Sequence, residues 1–300
     1  MALKQVKNKI ISTKKTGQVT KAMESVSAVK MRKSQERAFA GRPYIHSAMR
    51  ILMQLAGSQD GLTHKLAQTR ESGTTLLIIV TSDKGLAGSV SSAVLKKVEI
   101  MLASGVAVDT ICIGRKAAEF AKRSNLTILH EYTNVKDDVV IADVTAIASL
   151  VVEKFSQENY QNVQIVYQNF LSTFEQEPTK RQILPLDPAE IHFIMRGIRP
   201  KVGKFSDNVA QADTAINYTI EPSAEEVLNT LIPQLVQIMV YHALLESKAS
   251  EHSARMVAMK NATDKSKELI KALTIKYNKA RQAAITAEVS EITAGVEAMK

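Results

Sequence analysis

Three rhythms of apolar and polar positions divide the chain. In the first, Leu3, Val6, Ile10 and Thr13 alternate steps of three and four, which marks one face of an α-helix. The spacing slips near Gly17 and resumes at Val19, Ala22, Val26 and Val29. Only Gly17, Gly41 and Pro43 interrupt this region before Gly57. The pattern predicts a long helical arm over 1–58. It should bend at Gly41-Arg42-Pro43, where proline removes a backbone hydrogen bond and crowds the preceding turn.

The second rhythm, over 73–215, alternates short apolar runs with amphipathic stretches. "TTLLIIVTSD" (74–83) is a continuous aliphatic run bounded by turn residues, the mark of a strand buried on both faces. "VAVDTICIG" (106–114), "LTILHEY" (126–132) and "VQIVYQNF" (163–170) predict three more strands. Helices are expected between them, over 91–105, 115–125 and 143–160, the last with Asp143 as N-cap. Strands alternating with helices predict a parallel sheet with crossover helices, a Rossmann-like α/β domain. The polar, irregular stretch 199–215 reads as a loop.

The third rhythm runs over 222–300. Ser223 with Glu226 three residues on fits a capping box. A seam then steps by three and four through Leu235, Ile238, His242, Leu245, Ala249, His252 and Met256. It continues through Met259, Thr263, Ser266, Ile270, Leu273, Tyr277, Ala280 and Ala284. Such a repeat pairs helices in a left-handed supercoil. His, Thr, Ser and Ala dilute this one, so it suits a pair better than a bundle. From Gln234 to Ala294 there is neither glycine nor proline, enough for a rod of roughly 90 Å. Polar and charged residues of 254–270 fall on nearly every face of it. If the two terminal arms lie side by side, the first covers the last only to about Ala280. Beyond that a new stripe, Ile285, Val289, Ile292 and Val296, has no cover from this chain and calls for another protein. The fold class read from these patterns is an antiparallel two-helix coiled coil of the terminal segments, with an α/β domain inserted between them.

Composition agrees with long helices. Hydrophobic residues make up 45%, aromatics only 5%, and there is no Trp. The longest aliphatic run, Leu76 to Val80, is far short of a membrane span, and no signal-peptide pattern opens the sequence. A role at a membrane would therefore run through a partner. The single cysteine, Cys112, excludes an internal disulfide framework and reads as a buried strand residue.

The net charge of +9 is unevenly placed. Residues 1–50 carry twelve Lys and Arg against two acidic residues, while the remainder is close to balanced. A basic arm meets nucleic acid, anionic lipid or an acidic protein surface. "KMRKSQER" (30–37) could grip phosphates, which keeps a nucleic-acid-binding coiled coil as an alternative, though no aromatics interleave for base stacking.

Catalytic signals are weak. Ser82-Asp83-Lys84-Gly85-Leu86-Ala87-Gly88-Ser89 follows the first strand, where a phosphate-binding turn would sit, but matches neither glycine fingerprint. A plain strand-to-helix turn is the simpler reading. The six histidines show no metal-ligand spacing; His242 and His252 fall on the seam and read as core or interface residues. Asp137-Asp138 lie in a polar loop and read as a solvated turn. No nucleophile, base and orienting group can be assembled.

At this point the chain resembles the γ subunit of F-type ATP synthases, bacterial members above all. "TKAMESVSAVKMRKSQERA" (20–38) is similar to that family's N-terminal segment, and "TSDKGLAGS" (81–89) to its turn, with Lys84 for the usual Arg and Ala87 for the usual Cys. "SEHSARMVAMKNATDKS" (250–266) and "YNKARQAAITAEVSEITAGVEAM" (277–299) look like its two C-terminal signatures. The paired-cysteine insert of chloroplast members is missing, so thiol control is not expected. The resemblance implies a rotor shaft inside a ring of α and β subunits, with the ε subunit and the membrane c-ring at its foot. It implies a non-catalytic, cofactor-free subunit, peripheral on the cytoplasmic side of the cell's inner membrane and touching the membrane only through the complex. It also implies contacts with β subunits at Met23, Arg32, Lys33, Arg281, Gln282 and Thr286, acting as a catch whose strength varies with rotor angle.

Overall fold

The computed structural model describes residues 3–56, 64–157, 160–187, 221 and 223–299. Helix α1 runs Leu3–Ala40 and α2 Arg42–Ala56; the break falls at Gly41, where the sequence placed the bend. Then come β1 (Thr74–Val80), α3 (Val90–Ala103), β2 (Val108–Ile113), α4 (Arg115–Arg123), β3 (Thr127–Tyr132) and α5 (Ile141–Ser156). Strands β4 (Tyr160–Phe170) and β5 (Gln176–Leu184) follow, and α6 (Ala224–Ala298) is a single helix of 75 residues. The loop expected over 199–215 lies outside the described residues.

By density of contacts the chain divides into two units, Met1–Ser27 with Met256–Lys300, and Ala28–Arg255. The larger unit holds a five-stranded sheet in the order β3-β2-β1-β4-β5. The first four strands are parallel, as their alternation with helices predicts. β5 is antiparallel to β4 and was not legible in the sequence. Its residues, QEPTKRQIL, form no apolar run, and Pro178 is tolerated because β5 lies at the sheet edge.

Strand β1 explains why the sheet is covered on both faces. Its side chains alternate: Leu76, Ile78 and Val80 join a core with α2, α5 and α6, while Leu77 and Ile79 join one with α3 and α4. To the first core α6 contributes Ile232, Val236, Val240 and Leu244, buried in one cluster with Ile111, Val151 and Phe155. The second takes in Val94, Val98, Ala117, Phe120 and Cys112. Cys112 is fully buried, and that burial pushes its thiol up to about 11, so it remains a protonated packing residue.

Two local readings meet different outcomes. Asp143 is not the N-cap of α5. The helix starts at Ile141, and Asp143 reaches back from its first turn to accept from the Val140 N–H at 2.9 Å. At the start of α6, Ser223 Oγ does accept from the Glu226 N–H at 3.2 Å.

Candidate functional site

In the smaller unit, α1 and α6 meet along a seam of small and polar side chains. Thr20 and Thr263 share a hydrogen bond of 2.7 Å, and a Cβ added at Gly17 would lie 3.3 Å from Ser266 Cβ. Three residues forward on α1 thus match three residues back on α6, so the helices are antiparallel. The absence of a side chain at Gly17 lets them come close. On α1 the covered positions include Val6, Ile10, Thr13, Gly17, Thr20, Glu24 and Ser27, an unbroken three-four repeat. This corrects the slip expected at Gly17: Val19 and Val26 do not resume the seam but are more than half exposed. Apolar residues there drew the reading to the wrong face, because the true seam is built of Gly, Thr and Ser. On α6 the expected seam is buried at Met259, Thr263, Ser266 and Leu273 and partly covered at Ile270, Tyr277 and Ala280; Ala284 is exposed.

From Arg281 to Ala298 every residue of α6 is exposed, including Ile285, Val289, Ile292 and Val296. Arg281, Gln282 and Thr286 stand on this stretch, and the Thr286 hydroxyl donates to the Gln282 carbonyl at 3.0 Å. Met23, on α1, is half-buried, and its carbonyl accepts from Ser27 Oγ at 2.7 Å. Arg32 and Lys33 are exposed on the part of α1 that belongs to the larger unit. The structure therefore joins Gln282 to Thr286 directly, with Arg281 beside them, and sets Arg32 and Lys33 in a different unit.

The larger unit contains a charged centre that sequence reasoning missed. Asp137, in the loop between β3 and α5, is not a solvated turn residue. Lys30 of α1 donates to its carboxylate at 2.6 Å and Lys84 of the β1–α3 turn at 3.3 Å. Lys248 and His252 of α6 stand 3.9 and 3.7 Å away. Burial alone would raise the Asp137 pKa. The Lys30 hydrogen bond, the fields of His252 and Lys248 and the Lys84 bond outweigh it and hold the carboxyl well below the usual range. His252 is 2% exposed, and burial drives its pKa down to about 4 against the pull of Glu251 and Asp137. It is neutral at neutral pH, a core residue as the seam implied. Beside it, Arg255 donates to Glu251 at 2.6 Å and to the Gly85 carbonyl at 3.2 Å. The only advance signal was the density of Lys in the N-terminal arm. Nothing local says that residues more than a hundred positions apart converge on one aspartate.

The β1–α3 turn is accounted for by its own hydrogen bonds. Asp83 Oδ1 accepts from the Arg115 N–H at 2.9 Å, and Thr81 Oγ1 from the Ala117 N–H at 2.8 Å. These two oxygens satisfy N–H groups in the first turn of α4, the helix that follows β2. The other carboxylate oxygen of Asp83 accepts from the Val135 N–H at 3.0 Å. Among the described residues no group of three or more His, Cys, Asp or Glu is placed to hold a metal.

Known proteins share this arrangement. The family model described as ATP synthase matches residues 2–299. The chain is 38% identical over 300 residues to an ATP synthase gamma chain of Brevibacillus brevis, covering 99% of this chain and 98% of that one. It is 37% identical to the ATP synthase gamma chain of Heliobacterium modesticaldum, covering 99% of each. Among solved structures it is similar to a chain of the Tetrahymena thermophila mitochondrial ATP synthase central stalk and c-ring, with a TM-score of 0.58 and 26% identity. That match covers 81% of this chain and 99% of that one. A chain of the Euglena gracilis mitochondrial ATP synthase rotor matches with a TM-score of 0.60 at 18% identity over 94% of this chain and 98% of that one, a likeness of fold.

Proposed function

Because the chain belongs to the ATP synthase gamma-chain family, we propose how its geometry serves the central rotor shaft of that machine. The shaft couples rotation of the proton-driven c-ring to conformational change at catalytic sites on the β subunits. The observation that carries this reading is the change along α6, from complete burial around Leu245 to complete exposure beyond Arg281. The buried part anchors; the exposed part presents a surface to other subunits. A rotor does work on a ring only if each angle favours one β conformation by a difference in contact free energy. An asymmetric surface of apolar and polar residues supplies that difference.

Met23, Arg32 and Lys33 on α1 and Arg281, Gln282 and Thr286 on α6 are the contacts assigned to β. Their exposure or half-exposure supports this, as does the freedom of Arg281 from any intrachain ion pair among the described residues. The subunit breaks no bond itself. The ε subunit and the c-ring meet the α/β domain, and the chain is peripheral on the cytoplasmic side of the inner membrane, held there by the complex. The nucleic-acid alternative gains no support: Lys30 and Arg37 of the basic arm are engaged with Asp137 and Asp138.

The test is reconstitution with the host's α and β subunits, followed by assay of ATP hydrolysis. A stable complex whose turnover depends on this chain is expected. Truncation after Ala280 should weaken turnover; unchanged turnover would remove Arg281, Gln282 and Thr286 from the mechanism.

A further inference from the structure

We infer that the loop between β3 and α5, residues 133–140, is a clamp that locks α1 and α6 to the sheet, with Asp137 as its ionic centre. The inference rests on the rotor reading and adds the place where drive passes between the sheet and the helices.

Three observations carry it. First, one carboxylate draws cationic or ionisable groups from three elements: Lys30 of α1, Lys84 of the β1–α3 turn, and Lys248 with His252 of α6. An exposed pair on its own contributes little. Here, however, the Lys248 side chain is only 8% exposed, and its ammonium lies between Asp137 and the Val135 carbonyl of the loop and Glu251 of its own helix. Second, both helices also grip the loop's backbone. Arg37 donates to the Val139 carbonyl at 2.8 Å and Lys248 to the Val135 carbonyl at 3.2 Å. Third, Asp83 fixes the loop from the sheet side through the Val135 N–H.

The physical need is directional. The apolar core holds α6 against the sheet, but apolar contact is non-directional and resists sliding or twisting poorly. Charge-assisted hydrogen bonds at 2.6 to 2.8 Å fix position and angle. A rotor element under torque requires the second kind of contact where its helices meet the domain.

The experiment uses the assembled complex in membrane vesicles, with ATP hydrolysis and ATP-driven proton pumping measured together. In the double variant Lys30→Cys, Asp137→Cys the clamp's centre is removed. A short bis-thiosulfonate reagent then bridges the two thiols, and dithiothreitol releases them. Cys112 is wholly buried and stays out of the reaction. With the buried Lys248 ammonium deprived of the Asp137 charge, protons pumped per ATP should fall at least about twofold in the released form while hydrolysis persists. Bridging should restore the ratio. A released form that pumps at the wild-type ratio, or a bridged form that loses hydrolysis because the joint must flex, would overturn the clamp. Wild-type chain that fails to support pumping would instead count against the rotor reading itself. Should the double variant not assemble, Asp137→Asn tests the same point in the full chain by amide exchange. Exchange over 133–140 should quicken at least about tenfold while β1 and β2 stay protected; unchanged exchange there would refute the clamp.

Discussion

The same helix is held in two ways. Between Leu235 and Ser253 nearly every side of α6 is buried, against aliphatic residues of the sheet, α2 and α5 and against the Asp137 network. Between Met256 and Ala280 it is covered mainly along one seam, where Ile270, Leu273 and Tyr277 alternate with Thr, Ser, Ala and Met and a glycine faces Ser266. Each buried Leu or Val of the first region contributes on the order of 1.5–3 kcal/mol. The Thr20–Thr263 hydrogen bond contributes about 1 kcal/mol net. Cohesion is therefore concentrated in the unit Ala28–Arg255. The other unit gives up cohesion for close approach and for an outer surface that still carries Val19, Val26, Ile275 and Ile285. A shaft that binds changing neighbours benefits from apolar residues facing outward, and those residues are then not available to hold its own helices together.

Substitutions can break or sharpen that contrast. The largest effect is expected at Gly114, which has φ +94 and where an added Cβ would lie 2.1 Å from the Thr81 carbonyl oxygen. Gly114→Ala should cost more than about 3 kcal/mol in urea unfolding, since backbone, not a flexible side chain, must give way. Leu245→Ala, in the fully buried part of α6, should cost about 3 kcal/mol by the same measurement.

Acid should act through the larger unit next. His252 has a folded pKa of about 4 against an ordinary 6.5, so between these values the unfolded chain takes up a proton that the folded one refuses. Its contribution is complete above pH 6.5 and is lost as pH falls toward 4. Asp137 is also depressed, so its contribution is complete above its ordinary value of 3.8 and fails only below it. A loss of roughly 2–3 kcal/mol between about pH 7 and about pH 4.5 is expected from His252. Unfolding of His252→Gln at both pH values should show a flatter dependence; an equally steep one would remove His252 as the cause.

Thr263→Ala, in the sparse seam, should cost only about 1 kcal/mol, roughly a third of the Leu245 effect. Smallest of all, Ile285→Ser with Val289→Ser should leave the stability of the isolated chain within about 0.5 kcal/mol, because both are exposed. The same pair should weaken assembly with α and β. Equal effects on stability and assembly would mean that the end of α6 is covered by its own chain after all.

Local periodicity determined much of this protein. The α6 seam, the four parallel strands, the break at Gly41 and the buried Cys112 follow from spacing and residue type, because helices and buried strands impose their repeat on a contiguous stretch. Family resemblance, too, came from contiguous segments. Tertiary structure alone decided the rest. The α1 seam could not be told from its outer face, since Val19 and Val26 are as apolar as any seam residue and face outward. β5 has no repeat of its own and exists because β4 offers it an edge. Asp137 looked like a solvated turn because its partners, Lys30, Lys84, Lys248 and His252, lie 53 to 115 residues away in the chain. A hydrophobic repeat is written in neighbours, whereas the partner of a buried charge is fixed only when distant segments close around it.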